Sequence, residues 1–469
     1  MSAKQHFGAN SRNNRGRSIS SRCRQTTRRR RERFLRVESL ESRQLLAIDL
    51  IYGGPGNPLQ LGDIDGLSDN VAIALSPVPG NLRVDLNGAT FHAGSTPSAT
   101  GLTYQVAGDP ANSTWADVDI SAAGAITQLS VNTGDGSDTI NVGFVSTHVG
   151  DLHVDGQDGT DIVNLSTTTV GGGISIAGET INLTGAISGG GAFSILDFTG
   201  TMNLIGATTF NGSIASFHGT VDGGHDLTLN LDFVADFDQA VGSLNPIGNG
   251  VGNDLTIANG NAGLTSFYGT VDVSKNIFQS GTSGQVEFTR NVTIGGTSTF
   301  DGSVRLDAGF GPVGTLTFIS AGAATFGSDS TDLLELVDQA VVITTAASNA
   351  AVTFNSSTTL SFDSTLSVNS GSGAIDVNGP MNAADAADVE SIQLLANGGA
   401  GGPITIDAPL GTVGPLALIK LTGASVAVND SLGTNGGLVD IDAITTSVLL
   451  LAGKSITTTS ATAGNASGA

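Results

Sequence analysis

Ile140-Asn141-Val142, Val163-Asn164-Leu165, Ile181-Asn182-Leu183 and Met202-Asn203-Leu204 repeat one pattern, an asparagine between two apolar residues, at steps of 23, 18 and 21 residues. In a strand the two residues flanking each asparagine share one face and the asparagine takes the other. If each triplet sits on a successive coil, the apolar flanks stack into one core. The amides then form an outer ladder that hydrogen-bonds along the stack. A repeat of about 20 residues is the period of a solenoid, in which one coil cannot bury its own apolar face but a stack can.

Outward from these triplets the same reading holds. Asn81–Leu86, Asp226–Leu231 and Thr315–Ile319 alternate apolar and polar residues and are bounded by Gly, Asn, Asp or Ser, as half-buried strands are. Longer echoes recur: Ser216-Phe217-His218-Gly219-Thr220-Val221-Asp222 returns as Ser266-Phe267-Tyr268-Gly269-Thr270-Val271-Asp272, and Thr209-Phe210-Asn211-Gly212-Ser213-Ile214 as Thr299-Phe300-Asp301-Gly302-Ser303-Val304. Asp226-Leu227-Thr228-Leu229 is echoed by Asp254-Leu255-Thr256-Ile257. Helix is expected only in short pieces such as Met381 to Leu395. The expected fold is therefore all-β, an elongated parallel β-helix or β-solenoid. An array of antiparallel β-sandwiches is the competing architecture, but it calls for aromatic-rich domains of about 100 residues. Trp115 and Tyr104 fall in residues 48–130, which read as a small β domain or a cap on the solenoid.

Glycine supplies 66 of the 469 residues, while aromatic residues make up 5% and tryptophan occurs once. That composition argues against a compact core of large side chains and for short strands joined by tight turns. Charge divides the chain. Residues 1–43 hold 13 of the 19 Lys and Arg but only three acids, Glu32, Glu38 and Glu41; the remaining 6 bases and 39 acids give residues 44–469 a net charge of −33. The body's bases, Arg83, Lys275, Arg290, Arg305, Lys420 and Lys454, are scattered, which argues against nucleic acid as a partner. Such an acidic surface attracts cations and promotes solubility. The only cysteine, Cys23, precedes the body, so the body has no internal disulfide. No stretch approaches the 18 or so apolar residues of a membrane-spanning helix.

Residues 1–36 are rich in Arg, Ser, Asn and Gln and cannot bury enough surface to fold. Apolar residues at helical spacing follow in Phe34–Ala47. Leu40, Glu41, Arg43, Leu45 and Leu46 resemble the LEPR-XLL leader of large repetitive surface proteins of environmental bacteria, with Ser42 where that family has proline. The resemblance implies export to the surface or the medium, with 1–47 as a basic disordered leader. A twin-arginine signal fits less well, because its spacing is off and no hydrophobic segment follows. An arginine-rich nucleic-acid tail and a translation start placed too far upstream are the other readings.

The repeats of residues 166–469 resemble the filamentous-haemagglutinin type of β-helix. That resemblance implies an adhesin or matrix component whose surface or matrix ligand the sequence leaves open. The run Thr458–Ala469 carries no anchor motif, as expected of a released protein or of one continued in a longer chain.

One constellation, in residues 131–165, carries chemistry. Gly134-Asp135-Gly136-Ser137-Asp138-Thr139-Ile140 and Gly156-Gln157-Asp158-Gly159-Thr160-Asp161-Ile162-Val163 combine glycines that free carbonyl oxygens, aspartates that supply hard anionic oxygens, and an Ile or Val that anchors the turn. They resemble the RTX calcium repeat, which implies Ca2+ at Asp135, Asp138, Asp158 and Asp161. Calcium takes six to eight oxygens, so one loop alone is insufficient. The 23 residues from Asp138 to Asp161 match one coil, which would bring the two loops side by side. An Asp-Gly turn without an ion accounts for the same residues. Asp63-Ile64-Asp65-Gly66 resembles them more distantly.

Catalysis finds little support. His92, His148, His153, His218 and His225 lie singly or in loose pairs and read as loop residues, and His6 belongs to the leader. GxSxG, HExxH and P-loop motifs are missing from the sequence. A lyase acting on acidic sugars needs clustered cations, whereas paired aspartates for glycoside hydrolysis stay open. The expected role is that of a non-enzymatic structural or adhesive protein. A calcium-stabilised binding module and a carbohydrate-active β-helix are the alternatives.

Overall fold

The computed structural model describes residues 48–458, apart from 252–253, 259–262, 282–283, 311–313, 386–388 and 446–447. The leader motif and Cys23 lie outside the described residues. Alternation dictates the architecture: strands such as Thr139–Gly143, Ser303–Asp307 and Thr365–Asn369 bury every second residue. Each strand then lies parallel and in register on its counterpart one coil earlier, giving a parallel β-solenoid of about 14 turns. Helix is confined, among the described residues, to the three-residue 3-10 turns Pro110–Asn112 and Ala308–Phe310.

The asparagine triplets show how coils register. Ile140, Val163, Ile181 and Met202 occupy equivalent inward positions on successive coils. The row starts at Val71 and continues through Val221, Val241, Val271, Val292, Phe318, Ile343, Val368 and Leu394 to Leu421, every member buried. Each such side chain contributes about 1.5–3 kcal/mol when fully buried. On the opposite face the amides form the expected ladder. The Nδ2 of Asn164 donates to Asn141 Oδ1 (2.9 Å), Asn182 to Asn164 (2.8 Å) and Asn203 to Asn182 (3.4 Å). The longer echoes occupy equivalent positions several coils apart: Phe217, Phe237 and Phe267 follow one another in a single row, as do Phe210, Leu229, Ile257, Gln279 and Phe300.

Two expectations need correcting. Aromatic side chains are few, yet within a mostly aliphatic core they gather into columns. The rings of Phe198, Phe217, Phe237, Phe267 and Phe288 stack nearly parallel with centroids 4.4–5.6 Å apart, and Phe300, Phe326 and Phe354 form a second column. In-register repetition places every ring on another, which gives each pair a packing preference beyond its buried area. The described residues of Met381 to Leu395 are not helical. They hold the strand Met381–Ala383 and most of Ser391–Ala396. Met381, Ala383, Ile392 and Leu394 are buried as the coil requires, so stacking overrides local helix preference at these strands.

Residues 48–119 form a cap. The strands Ile48–Tyr52 and Asn57–Asp63 pair antiparallel, as do Asn70–Leu75 with Asn81–Asp85, and Trp115–Asp119 with Asn81–Asp85 and Leu102–Tyr104. Two cap strands also form the first layer of the stack: Asn57–Asp63 lies parallel on Ile126–Asn132, and Asn70–Leu75 on Thr139–Gly143. Arg83 fastens the cap on the face opposite buried Leu82 and Val84. Its Nε and Nη2 donate to the two carboxylate oxygens of buried Asp117 (2.8 and 2.9 Å), Ser76 Oγ donates to the same carboxylate (2.7 Å), and the guanidinium lies 3.9 Å from the centre of the Trp115 ring.

Candidate functional site

The two glycine-aspartate loops do lie side by side. Their glycines meet backbone to backbone: Gly136 N donates to Asp158 O (3.0 Å), Thr160 N donates to Gly136 O (3.3 Å), and a Cβ on Gly159 would stand 1.5 Å from the Gly136 carbonyl oxygen. Both glycines have positive φ, 139° and 150°. Only glycine allows coils to approach this closely in that conformation.

The four aspartates expected to share an ion are separated by this packing. Asp135 and Asp158 are exposed, whereas Asp138 and Asp161 are buried. The buried pair belongs to a longer column of acids. Asp138 Oδ1 accepts the backbone N–H of Asp69 (2.6 Å), Asp161 Oδ1 accepts that of Asp138 (2.9 Å), and Glu179 Oε2 accepts that of Asp161 (2.7 Å). Each carboxylate thus caps the backbone of the preceding coil, and the column joins the cap to the solenoid. The Oδ2 atoms of Asp69, Asp138 and Asp161 are buried without a hydrogen-bond partner.

Burial with no cation beside it sets the electrostatics. The Asp69 carboxyl is pushed up to about 7, first by burial and then by the negative charges of Asp63, Asp138 and Asp65. Asp161 is pushed up to about 6, again mainly by burial, with Asp138 and Glu179 adding to it. Asp138 is raised by burial, against the lowering effect of its hydrogen bond from Asp69. Loss of solvation penalises the charged form, and like charges nearby add to the penalty. A proton or a cation would relieve both. Among the described residues no three His, Cys, Asp or Glu side chains converge as a metal-ion site does.

Asp69 and Glu179 were missed by the sequence reading, and both had a signal. Asp65-Gly66-Leu67-Ser68-Asp69-Asn70-Val71 repeats the Asp-Gly, Ser/Thr-Asp and Val/Ile elements of the two loops with one residue inserted. Glu179 precedes Asn182 by three residues, as Asp138 precedes Asn141 and Asp161 precedes Asn164, so the asparagine ladder points to it.

The histidines are more committed than loop residues. His218 bridges three coils, with Nδ1 2.6 Å from Asp238 and Nε2 3.2 Å from Asp197; the Asp238 hydrogen bond is the main cause of its raised pKa. His148 Nδ1 lies 2.7 Å from the Ile120 carbonyl oxygen. His153 borders a shallow depression of about 210 Å³ with Gln128, Asp151, Ser175, Ile195 and Asp197. Four of the six body cations are paired with acids: Arg83 with Asp117, Arg305 with Glu287, Asp307 and Glu335, Lys420 with Asp440, and Lys454 with Asp430. No helix among the described residues is long and apolar enough to cross a membrane.

No protein-family model, curated protein or solved structure matches the chain.

Proposed function

We propose that this chain is an exported structural or adhesive repeat protein of the cell surface or extracellular matrix, acting without catalysis through a long repetitive outer surface. The observation that carries this reading is the inward row from Val71 to Leu421, which keeps coil upon coil in register with polar residues directed outward. Stacking of this kind supplies an extended binding face whose length scales with repeat number. The leader-like residues Leu40, Glu41, Arg43, Leu45 and Leu46 support export. The test is fractionation of the native cells with mass mapping of the mature N-terminus. Recovery from the surface or medium, cleaved near Ala47, is the expected result; intact recovery from the cytoplasm would overturn it. Release of reducing ends from a polysaccharide by the purified protein would replace the non-catalytic reading.

A second reading, a calcium-stabilised module, rests on the unpartnered Oδ2 atoms of Asp69, Asp138 and Asp161. A hard divalent cation at this column would draw its remaining ligands from backbone carbonyls and water. EDTA would then lower the thermal midpoint and added Ca2+ restore it. A melt insensitive to both would remove calcium from the account.

A further inference from the structure

From residue 84 to residue 274 the chain has 19 acids and not one Lys or Arg. One outward face of this stretch is both acidic and apolar. The core rings of Phe198, Phe217 and Phe237 stack on one another, so the residues flanking them face out on three successive coils: Asp197 and Thr199, Ser216 and His218, Asp236 and Asp238. Two residues before Asp197, Ser216 and Asp236 runs an apolar row, Ile195, Ile214 and Val234, of which Ile195 is 52% exposed. Beside that row the rings of Phe193 and Phe233, 77% and 44% exposed, stack nearly parallel with centroids 6.1 Å apart. Toward the cap the row continues in register through Gly173 and Asp151 to Gln128, along the shallow depression that Ile195, Asp197 and His153 border. Burial, and after it the charge of Asp238, raises the Asp236 carboxyl above the ordinary aspartate value. Exposed aromatic and aliphatic carbon thus adjoins carboxylates for which the same stretch supplies no Lys or Arg.

We propose that this face docks a basic amphipathic segment of a partner protein, its apolar side on Phe193, Ile195 and Phe233 and its Lys and Arg on Asp197, Asp236 and Asp238. Charge complementarity selects the occupant. An acidic peptide or an anionic polymer is repelled, and a second copy of this chain brings the same carboxylates. Lys and Arg also suit the apolar border, because their aliphatic stems cover carbon while the charged heads reach the acids. A cation over an aromatic ring is attracted to the ring's face. Length fits as well. The coils from that of Gln128 to that of Val234 rise by five steps, about 24 Å at the usual strand spacing, which is the length of a helix of about 16 residues. Such docking rests on the adhesive reading and gives it a partner of stated chemistry. Cell fractionation tests that reading and peptide binding tests this face, so either can fail without the other.

The full chain is titrated, by fluorescence polarisation, into a labelled peptide of about 16 residues with Lys and Leu at amphipathic helical spacing. The same composition, shuffled to scatter its leucines, is the control. The expected result is saturable binding, about tenfold weaker for the shuffled peptide, with hydrogen-exchange protection at residues 193–197, 214–218 and 233–238. Phe193→Ser and Phe233→Ser should each weaken binding about tenfold. Asp197→Asn combined with Asp236→Asn should weaken it similarly and flatten its salt dependence. All four side chains are at least partly exposed, so the melts should stay close to that of the unaltered protein. Equal binding of both peptides, indifferent to Phe193 and Phe233, overturns the proposal because it reports charge alone. So does a lack of binding, or protection elsewhere on the chain. Saturable binding of a neutral oligosaccharide, cellohexaose, at these residues with none of the peptide would assign the face to a glycan and overturn it too. Should a variant fail to fold, the exchange footprint on the unaltered protein decides.

Discussion

At one end of the solenoid, hairpins fold back over the first coil, bury Tyr52, Phe91 and Tyr104, and fasten through Arg83 and Asp117. At the other, Val448, Leu450 and Ile456 repeat the inward pattern of the coil beneath and meet solvent. Both ends face the same requirement, because a parallel stack presents unpaired strand edges and an uncovered apolar layer wherever it stops. The cap meets it by reversing strand direction and using polar contacts; its junction with the solenoid runs through the buried acids Asp69, Asp138 and Asp161. Among the described residues the last coil shows neither device. The capped first coil is thus closed and sensitive to charge, whereas the last described coil is apolar and exposed.

The sharpest way to break this contrast is Arg83→Ala. It leaves Asp117, which is 3% exposed, with a buried carboxylate whose bidentate partner is gone. Arg83 is 23% exposed, so the pair is part-buried, and losing its charge-assisted hydrogen bonds to the buried carboxylate costs about 3 kcal/mol. The cap should unfold before the solenoid in a denaturant titration followed by Trp115 fluorescence, the ring on which Arg83 lies. A single transition displaced by less than about 1 kcal/mol would show that the cap is held by its apolar contacts alone.

Next in size is the pH response of the junction. Asp69 titrates at about 7 when folded and near the ordinary aspartate value when unfolded. Its raised pKa means that the folded state binds a proton which the unfolded state has already released. The contribution of Asp69 is therefore full below pH 4, where the group is neutral in both states, and is lost as pH rises through 7. From pH 8 to pH 5 the gain attributable to Asp69 is roughly 2.5 kcal/mol. General relief of acidic repulsion acts in the same direction, so the informative quantity is the difference between the native protein and Asp69→Asn. The variant's melt should vary less with pH over this window. Identical pH profiles would show that Asp69 is not the titrating group.

These contrasts were unequally legible in the sequence. The asparagine spacing revealed the coils because Asn141, Asn164, Asn182 and Asn203 interact with their own kind on the next layer, and period 2 leaves a local trace. The loops around Asp138 and Asp161 were legible as neighbours for the same reason. Their chemistry was less so: whether an aspartate of an Asp-Gly turn points into the stack or out of it depends on coil-to-coil contact, and this separates Asp138 and Asp161 from Asp135 and Asp158. The helix expected near Met381 failed because alanine preference is weak against a layer already waiting in register. The open end left no trace at all. Val448-Leu449-Leu450-Leu451 reads as any inward strand does, and exposure depends on what lies on the coil rather than on its own residues.

Within the stack, Asn182→Ala sharpens what holds successive layers together. Asn182 donates to Asn164 at 2.8 Å and accepts from Asn203 at 3.4 Å, both partly buried. A net hydrogen bond contributes about 1 kcal/mol, and the longer one less. The expected loss is about 1–1.5 kcal/mol in equilibrium unfolding. A loss indistinguishable from zero would mean that water replaces the amide, and that register is carried by the apolar row alone.

The smallest expected effect falls at the open end, and its smallness is what gives it meaning. At a concentration where the chain is monomeric, Leu450→Ser removes an apolar side chain that is 41% exposed and has no layer above it, so the monomer should lose about 0.5 kcal/mol or less. Val428, one coil below in the same row, is fully buried, and Val428→Ser removes comparable surface at a cost of about 2 kcal/mol or more, because it leaves a cavity with a hydroxyl inside. The two positions share a register and a chemistry and differ in whether a coil lies above them. If serine at 450 destabilises the monomer as much as serine at 428, the end is covered in solution and the asymmetry between the two ends disappears. If the costs separate as expected, the last described coil contributes less to the stack than the coil beneath it, and burial under a following layer is what gives an inward residue its full weight.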